Sequence, residues 1–537
     1  MKAVFYNGKV YTGEETLKEA FLVEDGVITA VGTDAELLTS ADTETVRNDL
    51  SGSFVCPGFN DSHMHLLNYG KALRSADLSG HTDSLEGMIR YLKAYAEAHP
   101  PREGQWLTGR GWNQDYFQDV TRMPDRRDLD AVSTEYPIIV TRACGHACVV
   151  NSAALRLAGI SAGTKSPEGG TVGIENGEPD GRLYDNAIGL VSPLIPSADR
   201  EDLKEMIKAA CRALNAYGIT SVQSDDYGAF PGIPAETVND VFRELTESGE
   251  LTVRVYEQAN LSSLEELARF AAAGNVTGAG TAHFRIGPLK IVADGSLGSR
   301  TALLSGTYAD QPDTSGLMLY STEELNALIG YANAHEMQVA VHAIGDGCLD
   351  RVLDAIEHAL KEHPRNDHRH GIVHCQITRP DQLERIRDLQ LHVYAQSVFL
   401  DYDNHIVEKR VGKELAATSY SWKTLMDAGV SVSNGSDCPV ELPDVMKGIE
   451  CAVTRRSMDG TGPYLPAKAF TVREALDSFT VRGAEASFEE DRKGRIAPGY
   501  AADFTILDRD PFMTPASQLH TIPVRACYLD GRCVYQK

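Results

Sequence analysis

The sequence predicts a (β/α)8 barrel with a small β-sandwich domain built from both chain ends and an insertion after the first barrel strand. Strand-like and helical runs alternate through the second half of the chain. Hairpin-like β segments occur at both ends, and the region from about 70 to 200 is rich in turns without repeating units. Such alternation is typical of a parallel sheet covered by helices.

Eight strand-like runs are available to close the barrel. Seven of them are Ile219 to Ser224, Leu251 to Gln258, Phe284 to Ala293, Gln338 to His342, Gly371 to Cys375, Leu391 to Ser397 and Val430 to Ser436. The first in chain order is the apolar run Ser53 to Cys56, which precedes Pro57-Gly58. Helical runs between strands are predicted at Leu203 to Tyr217, Leu264 to Ala273, Glu323 to His335, Leu349 to His363 and Arg379 to Leu389. An open doubly wound sheet is the alternative, but eight strands favour the barrel.

The two chain ends share a β-rich texture. Asn7-Gly8 and Asp25-Gly26 punctuate the first segment and Asp530-Gly531 the last, and each pair is a strong hairpin signal. Because chain termini often lie close together, both ends are expected to build one domain from residues 1–55 and 495–537. The barrel would then occupy 56–494, including the insertion at 70–200.

Bulk composition narrows the class of protein. The 537 residues are enough for a large domain and a smaller one. A formal net charge of −25 opposes binding to nucleic acid or to an anionic membrane surface. The first residues lack the apolar core of a secretory signal, and no run reaches the roughly 18 apolar residues of a membrane helix. We therefore expect a cytoplasmic protein with reduced cysteines that acts on a small molecule and is free to form a homo-oligomer.

The clearest chemical signal is the pair His63 and His65. Side chains alternate along an extended strand, so two histidines one residue apart point to the same face. Both imidazoles could then reach one metal ion. The alternative is that both are ordinary polar residues where a strand meets a loop, because His-X-His is a short pattern.

Further candidate ligands stand at the carboxyl ends of the predicted barrel strands, where such barrels carry their chemistry. Lys290 lies in the fourth strand, His342 in the fifth and His374 in the sixth, and Asp437 follows the eighth. A single histidine in such a position is more often a hydrogen-bonded core residue. Four histidines at matching strand ends favour a metal site instead.

Lys290 needs a separate explanation, because an ammonium group cannot bind a cation. A neutral lysine can add carbon dioxide, and the resulting carbamate offers two oxygens that could bridge two metal ions in a hydrolase. The alternative is a buried lysine paired with Asp294, although burial of lysine is costly without strong compensation.

Taken together, these residues resemble the amidohydrolase superfamily, specifically the branch that contains N-substituted formamide deformylases (the amidohydrolase 3 type of metal-dependent hydrolases). The motifs are Pro57-Gly58-Phe59 before His63-X-His65, Gly287-Pro288-Leu289-Lys290, Asp294-Gly295-Ser296-Leu297-Gly298-Ser299, Val341-His342-Ala343-Ile344-Gly345-Asp346, His374, Gly435-Ser436-Asp437-Cys438-Pro439-Val440 and the stretch from Gly494 to Phe504. The resemblance therefore covers nearly the whole chain.

The resemblance implies a site with one or two divalent metal ions. Zinc is expected, although manganese, iron or cobalt suit the same ligands. The implied ligands are His63, His65 and Asp437 for one ion, His342 and His374 for the other, and carboxylated Lys290 between them. Asp437 would accept a proton from the attacking water and later pass it to the leaving nitrogen.

Residues that contact the substrate are harder to predict. Trp112, His146 and Ser296 are candidates, because loops of the insertion and of the strand ends would face the metals. Packing within the insertion is the alternative for Trp112. A small zinc site made of Cys144, His146 and Cys148 is disfavoured because no fourth ligand is near. No Gly-X-Ser-X-Gly elbow surrounds Ser296, so serine nucleophile chemistry has little support.

We therefore predict a hydrolase of non-peptide carbon–nitrogen bonds, of the amide or formamide type, in small molecules. A metal-dependent lyase or isomerase on the same barrel is the first alternative, because fold and metals do not fix the reaction. A binding or regulatory protein that retains the scaffold is the second. The presence of Asp437 beside a full ligand set argues against the second, since a pure binder needs no base.

Overall fold

The computed structural model describes residues 2–81, 83–142, 147–230 and 232–537. The chain divides into two compact units, a larger one made of Met1–Asn68 and Ala210–Lys537 and a smaller one made of Tyr69–Ala209. In residue range, the smaller unit corresponds to the insertion predicted at 70–200. Within the described ranges, no helix has both the length and the apolar character needed to cross a bilayer.

The larger unit contains eight parallel strands, and each pairs with the next one in the chain. They are Phe59–Met64, Ile219–Ser224, Arg254–Asn260, Phe284–Val292, Val339–Ala343, Gly371–His374, His392–Ala395 and Val432–Asn434. We call them barrel strands 1 to 8. The sequential order describes a nearly closed (β/α)8 barrel, whereas an open doubly wound sheet reverses its order part-way.

Hydrogen bonds join the ends of barrel strands 8 and 1. The backbone N–H of Asp437 donates to the carbonyl of His63 at 2.8 Å, and the N–H of Ser436 donates to Asp61 Oδ1 at 3.0 Å. The hydroxyl of Ser436 also donates to the Asp61 carboxylate. Asp61 therefore connects the two strands that carry His63 and Asp437.

Helices follow most barrel strands. Those of the barrel region are Leu66–Leu73, Arg200–Ala216, Ala235–Glu247, Leu264–Ala272, Thr322–Ala334, Asp346–Glu362, Pro380–Asp388, Leu400–Asp403, Val407–Ala416, Trp422–Asp427, Val445–Thr454, Val472–Ser478 and Val481–Ala486. The remaining ones are Asp34–Ser40 near the amino terminus and Leu85–Ala98, Arg126–Asp130 and Ser152–Leu157 in the smaller unit. The five helices predicted between barrel strands all occur, with ends displaced by at most three residues.

The prediction is wrong for the first barrel strand, which it places one segment too early in the chain. The run Ser53 to Cys56 overlaps strand Phe54–Pro57, which belongs to a separate five-stranded sheet, and barrel strand 1 is Phe59–Met64 itself. Gly58 permits this change of sheet, because a Cβ at that position would lie 2.1 Å from Thr220 Oγ1 on barrel strand 2. His63 therefore lies within a barrel strand, and His65 follows its end.

The chain ends form two further sheets. A four-stranded sheet has the order Val27–Gly32, Ala20–Glu24, Lys2–Tyr6, Val46–Asp49, and the five-stranded sheet has the order Lys9–Val10, Phe54–Pro57, Phe504–Leu507, Val524–Leu529, Arg532–Gln536. Side chains of both sheets share one hydrophobic cluster, in which the Phe504 ring lies 4.9 Å from the rings of Phe5 and Phe21. Residues from both ends of the chain thus bury their apolar faces together.

Two of the three predicted hairpins form. Asp25-Gly26 and Asp530-Gly531 each join antiparallel neighbours. Asn7-Gly8 does not make a hairpin, because Lys2–Tyr6 and Lys9–Val10 belong to different sheets. Asn7 still has the positive φ of 58° that is typical of a turn residue, so the local geometry was predicted while the pairing of the strands was not.

The smaller unit is built on a six-stranded sheet of its own. Its order is Gly170–Glu175, Glu178–Asp185, Ala147–Val150, Ile138–Arg142, Leu107–Trp112, Ala76–Asp77. Helix Leu85–Ala98 packs its apolar face into a core that includes Trp112, Val140 and Val149. The unit therefore has its own hydrophobic core.

Candidate metal centre

Several of the predicted ligands meet at the carboxyl end of the barrel. One nitrogen each of His63 and His374 and an Asp437 oxygen lie within 4.8 Å of one another. His63 Nε2 is 3.4 Å and His65 Nε2 is 3.1 Å from the same atom, Asp437 Oδ1. The alternation of side chains along an extended segment accounts for this, because it turns both histidines to one face.

The other ring nitrogen of each of these histidines is bonded to a neutral oxygen. Nδ1 of His63 lies 2.7 Å from Gln258 Oε1, and Nδ1 of His374 lies 2.7 Å from Gln396 Oε1. His65 Nδ1 lies 2.9 Å from the carbonyl oxygen of Asp225. Because a carbonyl or amide oxygen only accepts, each Nδ1 carries a proton, and Nε2 is the nitrogen that can offer a lone pair to a metal ion when the ring is neutral. This is the usual outer hydrogen bond of a metal-binding histidine.

His342 has the opposite arrangement. Its Nε2 lies 3.1 Å from the carbonyl oxygen of Gly295 and 3.3 Å from Asp294 Oδ1, so Nε2 is the donor and Nδ1 keeps the lone pair. The ring centroid of His342 is 4.5 Å from that of His374, and the two planes are almost perpendicular. His342 lies in barrel strand 5 and His374 ends barrel strand 6. Because these strands are neighbours, the two rings lie side by side.

Lys290 is buried in barrel strand 4 and its ammonium lies 3.5 Å from Asp225 Oδ2. The alternative pairing with Asp294 is wrong. The Asp294 carboxylate instead accepts the backbone N–H groups of Leu303, Ile344 and Gly345. Asp225 therefore contacts two predicted ligands, Lys290 through its side chain and His65 through its carbonyl oxygen.

The backbone at two of these positions is strained. His374 has a φ of 74° and Asp437 a φ of 58°, both in the left-handed region that glycine favours. This conformation is uncommon for residues other than glycine, so the surrounding structure helps to hold it in place. Trp422 contributes by donating its indole N–H to the His374 carbonyl at 2.9 Å. Strain of this kind concentrates at functional sites.

Burial and charge set the protonation of the cluster. Burial lowers the pKa of His63 well below its ordinary value, with a further contribution from the charge of Lys290, and burial lowers the pKa of His374 to about 3. Burial also opposes the charge of His65, but its hydrogen bond to Asp437 raises its pKa to about 9. Burial favours protonation of Asp437, yet the surrounding histidines hold its pKa well below the usual range.

This donor set fits a divalent metal ion. Neutral imidazoles with a free lone pair and an ionised carboxylate are the nitrogen and oxygen ligands that zinc, manganese, iron and cobalt accept. The decisive observation is that Nε2 of His63 and Nε2 of His65 converge on one carboxylate oxygen while their Nδ1 atoms are held from behind. A cation between them would replace the proton that His65 shares with Asp437.

The three candidate substrate contacts have different outcomes. Trp112 is fully buried in the core of the smaller unit, and its indole N–H donates to the Val140 carbonyl at 3.2 Å, which is the packing role given above as the alternative. Ser296 is exposed, next to the residue whose carbonyl holds His342, and its hydroxyl bonds that of Ser299 at 2.7 Å. His146 and the adjacent Cys144 lie outside the described residues.

The sequence prediction missed the residues that orient the ligands. Gln258 and Gln396 are buried at the carboxyl ends of barrel strands 3 and 7, and a polar side chain at such an end was a signal that could have been used. Asp225 acts on His65 through its backbone carbonyl, which any residue provides. No pattern of side chains could have found that contact.

The geometry can be compared with known proteins. A family model described as amidohydrolase family matches residues 48–535. A putative amidohydrolase, YtcJ, from Bacillus subtilis is 34% identical over the whole of both chains. An N-substituted formamide deformylase from Arthrobacter pascens is 27% identical over 99% of this chain and 97% of its own.

Solved structures give the same result. The crystal structure of an uncharacterized metal-dependent hydrolase from Pyrococcus furiosus superposes with a TM-score of 0.77 at 30% identity, covering 95% of this chain and 100% of the other. The family match extends from strand Val46–Asp49 to the last strand of the five-stranded terminal sheet. The chain therefore belongs to the amidohydrolase family.

Proposed function

We propose that this protein is a metal-dependent hydrolase that cleaves a non-peptide carbon–nitrogen bond, of the amide or formamide type, in a small molecule. The observation that supports this most directly is the convergence of two histidine Nε2 atoms on Asp437 Oδ1, at 3.4 and 3.1 Å. A carboxylate at the point where the histidines meet can both bind a metal ion and take up a proton from an attacking water, as hydrolysis requires.

The proposed ligands form two groups. His63, His65 and Asp437 would hold one ion, and His342 and His374 the other. The perpendicular contact of His342 with His374 supports the second group, because the free nitrogens belong to adjacent rings. Lys290 would lie between the groups as a carbamate formed with carbon dioxide. Zinc is the proposed metal, since histidine and carboxylate ligands suit it.

Asp437 has the chemical properties of the general base. A metal ion, when bound here, supplies Lewis-acid activation of water and of the scissile carbonyl. Asp437 is ionised at neutral pH, so a carboxylate oxygen can take the proton that the attacking water loses. The same oxygen can then give this proton to the departing nitrogen. His63 and His374 remain neutral because burial lowers their pKa values, so neither competes for the proton.

The proposed bond type draws on the relatives. One relative is named as an N-substituted formamide deformylase, and formamides are small amides with a single hydrogen on the carbonyl carbon. The net charge of −25 supports a small-molecule substrate over nucleic acid, and we propose a cytoplasmic location for the same protein.

Metal analysis followed by a substrate screen tests the proposal. Purified protein should contain one or two divalent ions per chain, and should hydrolyse at least one member of a panel of N-formyl and N-acyl amines. The release of a free amine together with an acid identifies hydrolysis. Removal of the metal with a chelator should abolish the release, and zinc should restore it.

The same experiment separates the alternatives. A lyase or isomerase would bind metal and convert a substrate without consuming water, so no acid would appear. A regulatory protein would bind metal and release no product from any compound. Metal-loaded protein that hydrolyses no member of the panel would overturn the proposed function.

A further inference from the structure

Phe399 is an aromatic side chain beside the candidate metal centre that the proposed mechanism does not use. Its ring lies 5.8 Å from that of His374, and the two planes differ by only 15°. Phe399 is partly exposed, whereas its neighbours Val398 and Leu400 are buried. One part of an aromatic ring therefore remains open next to a proposed metal ligand.

The position of Phe399 is fixed by the same turn that orients His374. Gln396 holds Nδ1 of His374 with its side chain and accepts the backbone N–H of Phe399 at 3.0 Å with its carbonyl. The N–H of Ser397 donates to Asn434 Oδ1 at 2.9 Å, which ties the turn to barrel strand 8. The ring is thus presented by a rigid element.

More apolar side chains are exposed on the segments that follow barrel strands 7 and 8. Tyr402 is 59% exposed, Val440 is 66% exposed and Leu442 is 59% exposed. Val440 belongs to the turn that begins at Asp437, because its N–H donates to the Asp437 carbonyl at 2.9 Å. Tyr402, Val440 and Leu442 are here called the apolar rim.

Next to the apolar rim, the cation Lys447 is paired with two carboxylates. Lys447 Nζ lies 2.7 Å from an Asp401 oxygen and 3.4 Å from a Glu441 oxygen. The other oxygen of Asp401 accepts the N–H of Met458 at 2.7 Å. These pairings hold the two segments together, and they leave no unpaired cation there, among the residues that the structure describes, to attract an anionic substrate.

We infer that Phe399 sets the specificity of the site for a hydrocarbon substituent on the substrate, and that the apolar rim extends the surface that receives it. This inference rests on the proposed function, because the substituent is that of the amide bound at the metal centre. Removing hydrocarbon from water against an aromatic ring and aliphatic side chains lowers the free energy, and apart from the Tyr402 hydroxyl these side chains offer no hydrogen bond to a polar group. Each added methylene should therefore strengthen binding until the surface is covered.

A series of straight-chain hydroxamates tests the inference without requiring turnover. Hydroxamates bind metal ions, and their alkyl tails can be lengthened from acetohydroxamate to octanohydroxamate. Their dissociation constants would be measured by calorimetry on zinc-loaded protein. For the natural sequence we expect affinity to rise on the order of tenfold or more along the series, because the tail becomes buried.

Two variants should reduce this gain. Phe399→Ala should lower the ratio between the longest and shortest hydroxamates to about threefold or less, and Phe399→Leu, which keeps an apolar side chain, should retain most of it. Val440→Asp should lower the ratio as well, and because Val440 is exposed its effect on folding should be small. Met513→Ala is the matched control, since Met513 is 78% exposed in the carboxyl-terminal segment, away from the barrel mouth.

The outcomes are distinct. A gain with chain length that falls in Phe399→Ala and Val440→Asp but persists in Phe399→Leu and Met513→Ala supports the inference. Equal affinity along the series overturns the inference and leaves the proposed function standing. A gain that persists in Phe399→Ala, or one that persists in Val440→Asp, does the same. If no hydroxamate binds the zinc-loaded protein, the proposed function fails, and the inference fails with it.

Discussion

Histidines lie at both ends of the barrel, and only one of the two groups has the arrangement of metal ligands. At the carboxyl end, Nδ1 of His63 and of His65 is hydrogen-bonded to a neutral oxygen, and Nε2 of each ring faces Asp437. At the amino end, His370 uses both nitrogens within the protein. Its Nδ1 accepts the N–H of Val339 at 3.2 Å, and its Nε2 lies 3.0 Å from Asn333 Oδ1.

Burial and low pKa do not distinguish the two groups. Burial lowers the pKa of His392 at the amino end to about 3, the same value as that of His374 at the carboxyl end. Nε2 of His392 is hydrogen-bonded to the Ser433 hydroxyl at 2.8 Å, so this ring nitrogen already has a partner within the protein. What distinguishes His63 and His65 is therefore a ring nitrogen that faces the ionised Asp437 and not a neutral partner.

Asp437→Asn should have the largest effect. The amide can still offer an oxygen to a metal ion but cannot take up a proton, so kcat should fall by about 10² to 10⁴ while the metal content is retained. Steady-state kinetics together with elemental analysis would measure both. An unchanged kcat would remove Asp437 from the role of general base.

Gln258→Leu and Gln396→Leu should weaken metal binding by about 10-fold to 100-fold each, because the ligand loses the acceptor that fixes its tautomer and orientation. Competition with a fluorescent zinc chelator would give the affinities. Gln338→Leu is a matched control, since Gln338 is also buried but donates to the Arg369 carbonyl at the amino end. Equal losses in all three variants would mean that the effect is general destabilisation.

Metal affinity should depend on pH. In the metal-free protein Asp437 overcomes the effect of burial and raises the pKa of His65 to about 9, so a metal ion must displace a proton. Below pH 9 the apparent affinity should therefore rise about tenfold per pH unit and then level off. Zinc titrations between pH 6 and 9.5 would measure the slope, and a flat profile would contradict the protonated pair.

The pair of His65 and Asp437 should also make the stability of the metal-free protein depend on pH. Because the folded pKa of His65 is raised above its ordinary value of 6.5, its contribution is complete below pH 6.5 and is lost as the pH rises through about 9. The Asp437 contribution is present above its ordinary pKa of 3.8 and is lost as the pH falls through its lowered folded value. Denaturant unfolding of the chelator-treated protein should show both changes.

His370→Leu should have the smallest effect on metal binding. The change removes the partner of two buried groups, Val339 N–H and Asn333 Oδ1, and should cost about 1 to 3 kcal/mol of unfolding free energy. Zinc affinity should stay within about twofold, because neither group belongs to the metal centre. A loss of zinc affinity as large as that of Gln258→Leu would contradict the distinction between the histidines at the two ends of the barrel.

Much of the fold followed from the sequence, because parallel strands leave their carboxyl ends at one edge. From the sequence alone, that rule places His342, His374 and Asp437 together. It failed at Ser53 to Cys56, where the apolar pattern of a strand says nothing about which sheet the strand joins. The choice depends on the close approach of Gly58 to Thr220, a contact between distant segments.

The site was predictable at the level of residue types but not of orientation. The left-handed backbone of His374 and Asp437 has no sequence signal, because neither residue is glycine and neither conformation is intrinsic. The pairing of Lys290 with Asp225 rather than Asp294 depends on which carboxylate the backbone N–H groups already occupy. Such competition becomes visible only in three dimensions.

Anomalous X-ray scattering at the zinc absorption edge, from crystals of zinc-loaded protein, tests the central claim most directly. The proposed centre predicts one or two strong peaks among Asp437 Oδ1, Nε2 of His63, His65 and His374, and Nδ1 of His342. Zinc found only elsewhere on the protein, with these side chains still bonded to one another, would contradict it.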